Sequence, residues 1–278
     1  RYWNLAGGGN WGGSVGWAAS SGASPSVNNF PLAQDTALFE ATGLNSGATI
    51  TVNAAYNIGT INMSARTSNT MTLATSTNAP FIYGNWINGT GTTLSGTGVL
   101  AFAGRGSQTV TSAGKTWTQP FTVNSPSGSV TLQDAFTSSS TTGLTVSFGT
   151  FDSNNFNVTI SSGGVTSSAT NTKTIAIGSG TWVLGSTTPW GGPAVGFTTV
   201  TGTGTISLTS ASAKSFSGNG LNYSGITINQ GGAGTLTIGG NNTFANITNT
   251  YSATGATNIT LGTTTQTIAS SFTATGTS

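Results

Sequence analysis

The chain has no cysteine and no histidine. Disulfide frameworks are thereby excluded, as are the thiolate and imidazole ligand sets that hold zinc, haem and iron–sulfur clusters. Charge is nearly absent as well. Asp, Glu, Lys and Arg make up 4% of the 278 residues, where an ordinary soluble domain carries about 25%. The six basic side chains (Arg1, Arg66, Arg105, Lys115, Lys173 and Lys214) stand far apart, and the net charge is +2. Nucleic-acid binding needs Lys and Arg clustered along a groove to displace counterions, so no nucleic-acid partner is expected. No apolar run approaches the roughly 20 residues that span a bilayer, and no basic segment leading into an apolar one opens the chain. Neither a membrane span nor a signal peptide is therefore expected. The chain opens on Arg1 rather than Met, and Ser271 to Gly276 reads as one more strand without a closing cap. We expect the repeat to continue past Ser278.

What is present points to order. Thirteen Phe, seven Trp and five Tyr, with Thr, Val and Ile throughout, give a composition that disordered chains lack. Helix signals are almost missing: Gly and β-branched residues interrupt every window, and the best attempt, Leu32 to Thr42, is short. Short alternating segments recur instead, among them Thr49-Ile50-Thr51-Val52, Ser129-Val130-Thr131-Leu132, Thr145-Val146-Ser147-Phe148, Thr174-Ile175-Ala176-Ile177, Thr205-Ile206-Ser207-Leu208 and Thr235-Leu236-Thr237-Ile238. Each puts two apolar side chains on one face and hydroxyls or amides on the other, and Gly, Ser and Asn clusters separate them as turns. Strands this short suit the coils of a solenoid better than the sheets of a sandwich. An internal repeat supports this. Gly98-Val99-Leu100-Ala101-Phe102 aligns with Gly204-Thr205-Ile206-Ser207-Leu208, and Val110, Gly114 and Trp117 then meet Phe216, Gly220 and Tyr223.

The expected fold is all-β, a right-handed parallel β-helix (β-solenoid) with a distinct N-terminal cap. Its rival is an array of antiparallel β-sandwiches. Ile50, Val52, Val130, Leu132, Val146, Phe148, Ile175, Ile177, Ile206, Leu208, Leu236 and Ile238 are expected to face inward. Asn, Ser and Thr are expected to form ladders outside. Three zones are expected: residues 1–45 as cap and attachment segment, 46–195 as a first solenoid block ending in a protruding Pro/Trp/Gly loop (Thr187 to Pro193), and 196–278 as a second.

The opening carries Tyr2-Trp3, Gly7-Gly8-Gly9, Asn10-Trp11, Trp17, Pro31, Asp35-Thr36-Ala37 and Phe39, followed by Ile50 and Val52. This order resembles repeat modules of bacterial autotransporter-like proteins and of tailed-phage structural proteins. Asn4-Leu5-Ala6, where the pattern has Val-Gly-Gly, and Leu38, where it has a β-branched residue, are departures. Ser210 to Phe216, Gly234 to Ile238 and Phe272 to Thr277 are similar to the phage version in particular. The resemblance implies a non-enzymatic structural component of a virion (tail fibre, appendage or capsid decoration), located on the extracellular particle. The alternative is a secreted bacterial adhesin or surface filament, and a carbohydrate-degrading solenoid enzyme is a distant third. A charge-poor surface that does not repel its neighbours, with open coil edges, points to further copies of the chain as partners (a trimer first), and the resemblance implies other virion or surface-assembly proteins and host glycans.

Chemistry is sparse. Solenoid glycosidases work with paired acids, and Asp134 and Asp152 are one coil apart if a coil takes roughly 20 residues. Both, however, sit in turn contexts where an Asp bonds its own backbone. Asp35 and Glu40 lack the ligand spacing for calcium, and a short helical turn capped by Asp35 is expected there instead. No catalytic, cofactor or metal residue is assigned. The sequence singles out Trp3, Trp11 and Trp17 as partner or attachment residues, with burial over the first coil's open end as the competing role. Trp190, between Pro189 and Gly191, is singled out as an exposed contact.

Overall fold

The computed structural model describes residues 1–13, 15–167, 171–191, 199–251 and 258–274. It divides into two compact units, Arg1–Phe136 and Thr137–Ser278. Each is a β-solenoid in which a strand pairs with its counterpart one coil later. Coil-to-coil hydrogen bonds join residues 24 positions apart again and again. The only helical element among the described residues is a 3-10 turn at Val27–Asn29.

The first unit has three parallel columns. One runs through Ala37, Ile61, Trp86, Val110 and Leu132 in register. A second runs through Ile50, Leu73 and Leu94, and a third through Ile58, Ile82, Phe102 and Val123. All are buried, because alternation on a strand sends every second side chain inward and in-register stacking superposes the inward ones. In the second unit, Val158, Trp182, Ile206, Ile228, Ile247 and Phe272 form one column, and Phe151, Ile175 and Val200 another. The antiparallel sandwich does not fit. Over the stretch that discriminates the two folds, Leu100–Phe102 pairs parallel with the strand from Phe121, and Gly143–Asp152 pairs parallel with Lys173–Gly178.

Three sequence expectations need correction. Phe148 lies only half inside. In strand Gly143–Asp152 the inward series Leu144, Val146 changes phase at Gly149, whose φ of +86° is left-handed. Phe151 then takes the core place at 0% exposure. The short helical turn expected after Asp35 is not formed. Thr36–Leu38 is a strand, and Asp35 closes the turn before it by accepting a hydrogen bond from the Leu32 amide at 2.9 Å. Finally, the described part of Thr187 to Pro193 is a rung of the stack. Trp190 bridges in parallel to Val165 on one side and Phe216 on the other. Gly192 and Pro193 lie outside the described residues, as do Thr275 and Gly276 of the expected last strand.

Candidate interaction surfaces

The N-terminal segment is both plug and coil. Tyr2–Trp3 pairs antiparallel with Trp17–Ala18, and Gly8–Asn10 and Thr36–Leu38 stack in parallel on the strands that follow them. Trp3, Trp11, Trp17 and Phe39 pack ring against ring, with Trp3–Trp17 centroids 5.0 Å apart and Trp11–Trp17 4.8 Å. Edge-to-face packing of this kind favours rings beyond their area burial. The Trp17 indole donates to the Trp11 carbonyl at 2.9 Å, and that of Trp3 to the Leu5 carbonyl at 3.0 Å. All three tryptophans are at most 2% exposed, so none is available to meet another subunit. The exposed apolar side chains of this segment are aliphatic: Leu5, Val15, Val27 and Leu32.

Trp190 is likewise no exposed contact. It is buried, stacks on Phe216 at 5.7 Å with planes 11° apart, and donates from its indole to the Tyr223 hydroxyl at 3.2 Å. Tyr223 donates onward to the Gly218 carbonyl at 3.0 Å. Burial holds that hydroxyl protonated well above the ordinary tyrosine range, while the bond from Trp190 acts the other way.

Three of the four carboxylates, those of Asp35, Asp134 and Asp152, bond backbone amides. Asp134 accepts from the Ser112 and Ala113 amides at 2.7 and 2.6 Å and from the Ser112 hydroxyl at 2.9 Å. It thus holds the turn of the preceding coil rather than its own. Asp152 accepts from the Asn154 amide two residues on at 2.8 Å, a turn of the expected kind. Glu40 accepts from the Ser21 hydroxyl, and Asp35 lies 3.7 Å from the Arg1 guanidinium. Among the described residues no cluster of acids could hold a metal ion.

Sequence reasoning missed the buried cations. Arg66 is fully buried, and its two terminal nitrogens donate to the carbonyls of Glu40, Leu44, Asn45 and Thr70 at 2.7–3.4 Å. The Lys214 ammonium reaches the carbonyls of Ser210 and Gly234 at 2.9 and 2.7 Å. Burial lowers the pKa of both groups. Spacing in a Gly- and Ser-rich sequence carries no sign of these roles, which combine a carbonyl four residues away with carbonyls about a coil away. Shallow depressions of about 270 and 340 Å³ lie over Ala41–Ser46 and between Val200–Gly202 and Asn222–Ile226, and neither lining contains a charged side chain.

No family model, curated protein or solved structure matches the chain. Fold and surface define its class: a charge-poor β-solenoid closed at its N-terminal end by an aromatic plug. No helix among the described residues is long and apolar enough to cross a membrane.

Proposed function

We propose that the chain is a non-enzymatic structural component of a bacteriophage virion, a tail fibre, appendage or capsid decoration. The observation that supports this most is where the few charges go. Asp134, Arg66 and Lys214 are consumed in tying one coil to its neighbour, and ladders of Thr, Ser and Asn run along the outside. One such ladder bonds Thr227, Asn246 and Ser271 side chain to side chain. A surface of this kind is chemically quiet, as that of a shaft or spacer must be. The phage-like text of its later half favours a virion. The autotransporter-like opening favours the second reading, a secreted adhesin or surface filament. Antiserum against the chain, with immunogold microscopy of purified particles and of host cells, separates the two. Label on particles is expected. Label on cell-surface filaments alone would replace the first reading with the second, and label on neither overturns both.

A further inference from the structure

Strand alternation forces an exposed aromatic pair in the first unit. Ile82 is fully buried in its column, so its neighbours Phe81 and Tyr83 both point outward, and they are 38% and 41% exposed. On one strand, two residues span roughly 6.6 Å, which puts both side chains on the same outer face. Their flanks are small or polar. Register places Asn57 and Ala101 beside Phe81, and the amide bonds Tyr83 to Ile58 and Ala103 to Ile82 place Gly59 and Ala103 beside Tyr83. Neighbours this short leave part of each ring open to solvent. Asn57 is exposed and supplies an amide next to them.

We infer that Phe81 and Tyr83 form a stacking platform for an uncharged oligosaccharide. A sugar ring offers an apolar C–H face to an aromatic ring and hydroxyls to amides and phenols, and this platform has both kinds of group. None of the flanking residues is charged, so nothing there would select a phosphate or a carboxylate. A second copy of the chain is a poor occupant. Each aromatic side chain offers at most about 150–250 Å² even when wholly buried, and these two are already more than half covered. A stable protein interface needs roughly 800 Å² per partner. Contact with two sugar rings gives weak binding per site, which several copies on one particle would strengthen through effective concentration. The inference goes beyond the structural role and holds on a virion or on a cell surface alike.

Saturation-transfer NMR and calorimetry of the full chain would test it with uncharged hexasaccharides of β-1,4-linked glucose, α-1,4-linked glucose and β-1,4-linked N-acetylglucosamine. At least one should bind, and the Phe81→Ala/Tyr83→Ala double variant should weaken it at least tenfold. Phe272→Ala, which removes a different exposed ring, should leave binding unchanged. Tyr83→Leu keeps apolar bulk without a ring and should also lose binding, while Tyr83→Phe retains it, so a folding defect in the double variant would not mask the result. No binding of any of the three sugars at millimolar concentration overturns the inference, and so does a double variant that binds as the parent does. A double variant that breaks up a parent oligomer in sedimentation also overturns it, since the pair would then be a subunit contact.

Discussion

Arg66 carries a full charge into the wall of the first unit with backbone carbonyls as its bonding partners. Its planar fork reaches four of them, where a lysine would present one point of charge on a flexible stem. Arg66→Lys should therefore cost about 2–4 kcal/mol, since hydrogen bonds to charged groups are worth about 1.5–3 kcal/mol each and the abandoned carbonyls stay buried. Denaturant midpoints of the two proteins would measure it, and a near-neutral result would mean that water replaces the fork. Tyr223 gives a pH signature. Its folded-state pKa lies above its ordinary value of 10.0, so above about pH 10 the unfolded chain releases a proton that the folded chain keeps. Stability should fall as pH rises through that range. Lys214 has the opposite sign: its pKa is lowered by burial from 10.5, so the unfolded chain holds more protons just below that value and stability rises with pH there. Chemical unfolding between pH 8 and 11.5 should show the loss at the alkaline end, and Tyr223→Phe should flatten it.

Strands carry the next set of consequences. Phe148 and Phe151 are three residues apart on one strand, yet the phase change at Gly149 puts only the second in the core. Phe151→Ala should cost about 3–5 kcal/mol, as large-to-small core changes do, whereas Phe148→Ala should cost less than about half of that. A larger cost for Phe148→Ala than for Phe151→Ala would mean that the alternation runs unbroken. The same strand shows how far a sequence can be read. Thr145-Val146-Ser147-Phe148 alternates cleanly, and period-2 patterning made the coil fold and pairs such as Ile175 and Ile177 legible. It fails where a glycine with left-handed φ shifts the phase, because the sequence does not say which glycines do so. Trp190 failed differently. Pro189 and Gly191 signal a turn, and a turn suggests a loop, but a solenoid corner is also a turn and its rungs need only one residue. Phe81 and Tyr83 were not legible, since alternation over Phe81-Ile82-Tyr83 puts either Ile82 or both rings inside and does not say which.

For the molecule as a whole, the aromatic plug changes how attachment should be tested. Removing residues 1 to 30 would strip Trp3, Trp11 and Trp17 from Phe39 and open the first coil, so loss of assembly would say nothing about contact. Val27→Asn and Leu32→Asn alter exposed aliphatic side chains and leave the plug alone. If the N-terminal segment is the attachment end, the pair should reduce incorporation into the parent assembly while the melting temperature stays within a few degrees. Normal incorporation would confine the segment to capping. The column Val158, Trp182, Ile206, Ile228, Ile247 has one more consequence. Each rung is bonded to the rung before it and the rung after it, so the second unit has no shear plane that must fail all at once. Tension applied to its two ends should peel it as a zip, one coil per event. Coils of 24, 24, 22 and 19 residues would each release about 60–85 Å of chain at roughly 3.3–3.6 Å per residue. A force trace would then be a low sawtooth whose tooth spacing follows the coil lengths, and the protein would yield gradually under load where a sandwich domain gives way in a single break.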